Sequence, residues 1–503
     1  MIVLLTNLKV SLVGEATAAE RKFLRATLSF EDKTARFTGA AQTSLSLFNV
    51  VTNTFPAGLL SLVMRTAAKS SPPVRIEYAD KRARPCEADR EYDATFLPEF
   101  QPHGSRPLRG YQHDAVRAVW ERTRGVLQLP TGAGKTTIAV AIVRSLATRW
   151  LFVVDAYHLV TDAANRYREM TGEECGVIGD SEWSTGRVTF ATFQTLSARI
   201  DRPEVKEFLA SVRGVIVDEC HTVAADTFWN VMQALPHAYY RVGLSGTPLS
   251  RTDSKSILVT AALGSVIYKI TPGELTALGY LAMPKITMLE VEQVGGWNMH
   301  YSRFRTLTVV KSPRRNAAVM EAIERVAKPA LVFIKEIDHG RFLLKQVHER
   351  TGLRAKLVHG EHEVPVRKQA VAALERRDID FIICSSVFTK GIDIPFLEGG
   401  VNAAGGESEI DAIQRLGRGL RVTATKTTFD WIDIADTGHV WLARHTDSRK
   451  QAYIEAGYTP IREVSLAALK VVDVPIVSGK PKKNGITSAE QVTWASAEDI
   501  DDV

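Results

Sequence analysis

The chain has 503 residues, too many for one ordinary domain and enough for about three. Hydrophobic residues make up 45% and charged residues 24%, with 34 Gly and 20 Pro, which excludes a fibrous, collagenous or wholly disordered chain. Lys plus Arg number 63 against 57 for Asp plus Glu, and the net charge of +6 permits a polyanionic partner without requiring one. The four cysteines, Cys86, Cys175, Cys220 and Cys384, form no CxxC pair, so neither a zinc ribbon nor a disulfide framework is expected and a reducing compartment is. Residues 1–13 are apolar but lack a basic start and a small-residue cleavage site. No uncharged apolar run approaches the roughly 20 residues that span a bilayer, so a cytoplasmic protein without a membrane partner is expected.

In chain order, residues 1–97 read as a small α+β unit. An alternating strand carries Leu8, Val10 and Leu12, a helix covers 18–28, short strands fall near 35–38 and 44–50, a helix covers 57–68 and a strand 74–78. Residues 79–106 are basic and broken by Pro85, Pro98 and Pro102, which suits a domain boundary; their cations are either a solvated hinge or phosphate contacts. From there to about 280, apolar strands at 126–129, 151–154, 188–191, 215–217 and 240–244 alternate with amphipathic helices. A second series occupies 330–334, 355–358, 381–384, 400–402 and 429–434. Two such alternations predict two α/β domains, each a parallel sheet with helices on both faces, over 98–282 and 283–467. Residues 468–503, with Lys480, Lys482, Lys483 and an acidic end, read as a mobile tail.

Leu129-Pro130-Thr131-Gly132-Ala133-Gly134-Lys135-Thr136-Thr137 joins an apolar strand to an Ala/Val/Ile-rich helix. Such a turn points backbone N–H groups and a positive helix end at an anion, with Lys135 reaching the β/γ-phosphates and Thr136 placed to hold Mg²⁺. Leu129 stands where the common phosphate-loop pattern has its first Gly. Some 80 residues later the strand 215–217 ends in Asp218-Glu219, one carboxylate for the Mg²⁺ and one to orient and deprotonate a water. Cys220-His221 has no second pair nearby and is poor zinc geometry.

These residues resemble superfamily 2 helicases. Leu129 to Thr136 is similar to their motif I, Asp218-Glu219-Cys220-His221 to the DExH form of motif II, and Leu244-Ser245-Gly246-Thr247-Pro248 to motif III. The segment 384–395, with Gly391 and Asp393, resembles motif V, and Gln414-Arg415-Leu416-Gly417-Arg418-Gly419-Leu420-Arg421 resembles motif VI. Arg109-Gly110-Tyr111-Gln112 and the motif VI form are similar to the UvsW-type phage helicases and their XPB and RecG relatives, as, less specifically, is the N-terminal region with Pro56-Ala57-Gly58-Leu59-Leu60.

The resemblance implies two tandem RecA-like motor domains after an N-terminal domain that holds duplex or branched DNA, with ATP and Mg²⁺ between the motors. It assigns Arg109, Gln112, Thr131, Gly132, Ala133, Gly134, Lys135, Thr136, Thr137, Gly391 and Asp393 to the nucleotide, Thr136 and Asp218 to Mg²⁺, and Lys135, Asp218, Glu219, Gln414, Arg418 and Arg421 to hydrolysis. His221, Ser245 and Thr247 would couple hydrolysis to movement, and Gln194, Thr195, Lys335 and His359 would contact nucleic acid. The implied protein is a monomeric DNA helicase that unwinds or branch-migrates forks and junctions, with replication or recombination proteins as further partners, in a bacterial or phage-infected cell. An RNA helicase and the motor of a restriction or nuclease system are the alternatives. Residues 293–308 mix Trp297, Met299, Tyr301, Arg303, Phe304 and Arg305 and are either a base-stacking loop or a cap over the second domain.

Overall fold

The computed structural model describes residues 1–31, 44–85, 108–179, 182–220, 225–246, 254–292, 301–385, 394–406, 408–423 and 425–465. Among them no helix is long and apolar enough to cross a membrane.

The N-terminal sheet uses β1 (Ile2–Leu5), β2 (Lys9–Leu12), β5 (Thr54–Pro56) and β6 (Glu77–Asp80) in the order β5-β2-β1-β6, with β3 (Ser29–Glu31) and β4 (Ser44–Ser46) paired apart. Strand β1 has no counterpart in the sequence expectation: Thr6 and Lys9 close a tight turn, N–H to carbonyl at 2.9 Å, that folds the apolar start back on β2. The last strand, β6, sits about three residues later than expected, and the stretch 35–38 lies outside the described residues. Helix Ala18–Thr27 starts on a capping box of Thr17 and Glu20. Val3, Val10, Leu24, Phe55, Leu59 and Val63 form the core beneath.

This sheet is seated on residues of the first motor sheet. Asn7 donates to the Pro236 carbonyl at 3.2 Å and its own carbonyl accepts from Arg124 at 2.7 Å. Arg82 pairs with Asp80, donates to Thr123 at 2.6 Å and lies 4.5 Å above the Tyr239 ring. The basic stretch is expected to be a solvated hinge or a phosphate contact, and Arg82 is neither: it is a tether. At Gly58 a Cβ would lie 2.6 Å from the Ala261 carbonyl, so only glycine fits there.

The first motor sheet, second in the chain, comprises β7 (Arg124–Gln128), β8 (Trp150–Val154), β9 (Gly176–Gly179), β10 (Glu182–Trp183), β11 (Val188–Thr192), β12 (Gly214–Val217), β13 (Tyr240–Ser245) and β14 (Val266–Lys269). Its order is β10-β9-β11-β8-β12-β13-β7-β14, parallel except for β10 against β9. Strands β8, β11, β12 and β13 are buried along their whole length, as strands covered on both faces must be. Arg241 is buried here, donating to the carbonyls of Met232, Leu235 and Ala238 at the end of helix Ala225–Gln233; burial lowers its pKa to about 10.

The third sheet comprises β15 (Met283–Glu292), β16 (Ala330–Phe333), β17 (Ala355–Val358), β18 (Phe381–Cys384), β19 (Gly399–Asn402), β20 (Thr428–Thr437) and β21 (Arg462–Ser465), in the order β17-β18-β16-β19-β20-β15-β21. Strand β15 pairs in parallel with β20 over ten residues, from Met283 opposite Thr428 to Glu292 opposite Thr437. The two motor sheets accord with two RecA-like domains. The expected tail at 468–503 lies outside the described residues.

Buried ion pairs organise this third sheet. Arg449 pairs with Asp433 at 2.8 Å and Arg315 with Asp436 at 2.8 Å, all four essentially inaccessible. Arg305 pairs with Glu336 at 2.8 Å. The same three arginines reach consecutive turns of one loop, donating to the carbonyls of Ala403 (Arg315, 3.0 Å), Ala404 (Arg305, 2.8 Å) and Gly406 (Arg449, 2.8 Å). That loop links β19 to helix Glu409–Gly417, the helix that carries Gln414.

Candidate nucleotide site and nucleic-acid face

Strand β7 ends at Gln128, and the Leu129 N–H donates to the Ser245 carbonyl at 2.8 Å, tying the loop to the end of β13. Gly132 and Gly134 have φ of +84° and +77°, a region that side chains disfavour. The Ala133 carbonyl is held from behind by the Tyr111 hydroxyl at 2.7 Å and Gln112 Nε2 at 3.1 Å. Helix Lys135–Ser145 then anchors the loop through Ile138 to Val143, all buried. Lys135, Thr136 and Thr137 stand on its first turn. Arg109, whose N–H donates to Gln112 at 3.0 Å, lies 4.2 Å above the Tyr280 ring.

Asp218 and Glu219 follow the fully buried β12. Glu219 has φ of +43°, a strained backbone for a side chain, costing on the order of 1–3 kcal/mol. Its N–H donates to Asp218 Oδ1 at 2.9 Å, its Oε1 lies 3.1 Å from Lys135 Nζ, and its Oε2 accepts from the Gly246 N–H at 3.4 Å. Burial, then the neighbouring Glu219 carboxylate, pushes the Asp218 pKa up to about 6. A carboxylate in want of countercharge beside a phosphate loop suits a hard divalent cation, which keeps few protein ligands and takes the rest from phosphates and water. Cys220 is buried and its thiol pKa is raised by burial, then by Glu219 and Asp218, so it offers no thiolate.

The second motor sheet meets this loop directly. At Gly417, the end of helix Glu409–Gly417, a Cβ would lie 2.9 Å from Thr131 Cβ, and at Gly132 one would lie 2.7 Å from Leu281 Cδ2. Leu281 bridges backbone to backbone with Arg421, and the Ala282 N–H donates to the Leu420 carbonyl at 2.7 Å. Gln414 is buried within the helix, Arg418 caps its end and Arg421 is exposed. The structure thus brings Thr131 and Gly132 against the segment carrying Gln414, Arg418 and Arg421. Ser245 is buried at the end of β13. His221, Thr247, Gly391 and Asp393 lie outside the described residues.

The nucleic-acid candidates divide. Gln194 and Lys335 are exposed, after β11 and β16 respectively. Thr195 is engaged in a cap, its N–H donating to Thr192 Oγ1 at 3.1 Å. His359 is 7% exposed with its ring 3.9 Å from that of His362, so it is not on an open surface. Of the aromatic stretch 293–308, Phe304 is fully buried against His439 and Trp441, and Arg305 belongs to the ion pairs above. Those two cap the second motor sheet and do not stack bases; 293–300 lie outside the described residues.

Sequence reasoning missed Tyr280 and Leu281 at the loop and Arg315 and Arg449 in the third sheet, and it named Arg305 without its ion pair to Glu336. One signal was available: Asp433 and Asp436 within the apolar run of β20 require buried partners.

A phosphate loop on one parallel sheet, faced by a basic segment from a second, defines a nucleotide-driven two-sheet motor. The chain matches the family models "Type III restriction enzyme, res subunit" over residues 105–250 and "Helicase conserved C-terminal domain" over 315–423. It is 28% identical over 352 residues to the DNA 3'-5' translocase XPB2 of Sulfurisphaera tokodaii, covering 62% of this chain and 78% of that protein. It is 24% identical over 373 residues to the ATP-dependent DNA helicase uvsW of Enterobacteria phage T4, covering 69% and 72%. In fold it is similar to the ATP-dependent Type ISP restriction-modification enzyme LlaBIII bound to DNA, with a TM-score of 0.55 at 17% identity over 73% of this chain and 32% of that one. The chain belongs to superfamily 2 of the helicases and is an ATP-dependent helicase resembling the UvsW type.

Proposed function

We propose that this chain is an ATP-driven DNA helicase or translocase that unwinds or branch-migrates forked and junction DNA in repair, recombination or replication restart. The observation that carries the motor is the contact of Gly417 with Thr131, by which the basic motif VI segment abuts the phosphate loop. Lys135 and the N–H groups of 131–136 bind the phosphates. Thr136 and Asp218 would hold Mg²⁺, which, when bound, supplies positive charge to the phosphate oxygens. Glu219 orients the attacking water and takes its proton. Arg418 and Arg421 stabilise charge that develops on the γ-phosphoryl group, so their contribution grows towards the transition state.

DNA as substrate is supported by the translocase and helicase relatives, and its branched form by the resemblance of Arg109-Gly110-Tyr111-Gln112 and motif VI to the UvsW type together with the N-terminal sheet seated beside the first motor sheet. ATP turnover and strand separation, measured with single strand, duplex, fork, four-way junction and RNA duplex at fixed salt, test it. Strongest stimulation by forks and junctions is expected; equal unwinding of RNA and DNA would favour an RNA helicase, and no response to branched substrates would remove the remodelling role. The family model that matches the first motor favours one second reading, the motor of a restriction or nuclease system; Mg²⁺-dependent nicking by the purified chain would support it.

A further inference from the structure

Past the motif VI segment, Thr423 and Lys426 pair backbone to backbone: the Thr423 N–H donates to the Lys426 carbonyl at 3.3 Å and the Lys426 N–H to the Thr423 carbonyl at 3.4 Å. The Lys426 N–H also reaches Thr423 Oγ1 at 3.2 Å. The side chain of Lys426 does not run out to solvent. It is 7% exposed, and its ammonium donates to the carbonyls of Pro395 at 2.7 Å, Leu397 at 2.8 Å and Gly419 at 2.9 Å. A buried ammonium persists where hydrogen bonds replace its water, and a compact charge with three rotatable donors suits three carbonyls converging on one atom better than a planar guanidinium would.

The owners of those carbonyls give the contact its meaning. Pro395 ends the segment that resembles motif V, and Leu397 lies just beyond it. Gly419 stands between Arg418 and Leu420 in the segment that resembles motif VI, pressed against the Phe429 ring that a Cβ there would enter. Gly419 and Thr423, two residues before and two after Arg421, thus both bond to Lys426, while Leu281 pairs with Arg421 itself.

We propose that Lys426 is a positioning residue for ATP hydrolysis, fastening the backbone on either side of Arg421 to the loop 395–397 and so fixing where that guanidinium meets the γ-phosphoryl group. The proposal rests on the role given to Arg421 above. Being buried, the ammonium acts through the turn that carries Arg421. The same atom ties that turn to the chain just after Gly391 and Asp393, so a shift of either segment is carried to the other.

The test is a double-mutant cycle in steady-state ATP turnover by the full chain, with a saturating oligo-dT strand and ATP varied. Lys426→Met keeps the apolar stem and removes the ammonium; it is expected to lower kcat about thirtyfold with KM for ATP within about threefold of the wild type. Added to Arg421→Ala, the same substitution should lower kcat by less than about threefold further, which a general packing defect would not reproduce. Wild-type kcat in Lys426→Met, a raised KM alone, or the full loss repeated in the Arg421→Ala background overturns the positioning role. Loss in Arg421→Ala with none in Lys426→Met removes this proposal and leaves the arginine's role intact, whereas wild-type kcat in Arg421→Ala removes both. If Lys426→Met lowers the thermal midpoint below the assay temperature, Lys426→Gln, whose amide still offers N–H donors, takes its place in the cycle; a loss of about tenfold that vanishes beside Arg421→Ala is then expected, and one that persists overturns the proposal.

Discussion

The two motor sheets solve the same architectural problem with charge in different places. In the first, the functional ion pair lies beyond the strand ends: Lys135, on the first turn of its helix, and Glu219, after β12, are 3.1 Å apart with side chains 15% and 28% exposed, while the buried Arg241 within the sheet is met by backbone carbonyls and not by a carboxylate. In the second, charge is inside: Arg449 with Asp433 and Arg315 with Asp436 are sealed from water and grip the loop 403–406. A pair that water still reaches exchanges partners at smaller cost than one sealed from it, which is costly to separate. In the proposed mechanism the first sheet carries the groups that release and rebind phosphate, and the second holds a fixed geometry for Arg418 and Arg421.

The largest effect that would break this contrast is at Lys135. Lys135→Ala is expected to slow ATP turnover about 10⁴-fold in a steady-state assay while leaving strand binding and the thermal midpoint close to wild type. Arg449→Met should instead act on stability, costing about 3–5 kcal/mol in chemical denaturation, because Asp433 is left buried without its cation. A small cost there would mean that the second sheet is not organised by its ion pairs. Arg421→Ala should lower kcat about 10²-fold and ATP affinity little, as expected for a contact made in the transition state; a raised KM alone would remove that role.

The acid limb of stability separates the sheets further. His339 is buried, its Nε2 on Asn316 at 2.9 Å, and burial, then Arg315 and Arg305, hold its pKa down to about 3. Because the folded state keeps this ring neutral while the unfolded chain protonates near 6.5, stability is complete above about pH 6.5 and is lost as pH falls towards 3. The loss is about 2 kcal/mol at pH 5, and His339→Gln should flatten it in urea titrations run at about pH 7 and pH 5. The smallest expected change is Gly417→Ala, which places a methyl 2.9 Å from Thr131 Cβ and should lower turnover about tenfold with an unchanged midpoint.

The contrast also explains what could be read from sequence. Motif I was legible because its chemistry is local: a strand, two glycines, Lys135 and a helix within a few turns. The same holds for Asp218-Glu219 at the end of β12. The ion pairs of the third sheet were not legible, since Arg315 and Asp436 are 121 residues apart and Arg305 and Glu336 are 31 apart, and only tertiary packing joins them. Strand β9 and the edge strands β10, β14 and β21 were missed for a related reason. They are short and fixed by neighbours more than by their own pattern.

Gly58 carries a mechanical consequence. A glycine pressed against the Ala261 carbonyl, with Asn7 and Arg82 bonded to residues at the amino ends of the adjoining strands β13 and β7, leaves the N-terminal sheet no sliding surface on the first motor. Anything it holds therefore shares the frame of reference of the phosphate loop. In the proposed motor, a change in the spacing between the two motor sheets would displace only the grip of the second relative to that load, as a moving wheel turns against a fixed pawl.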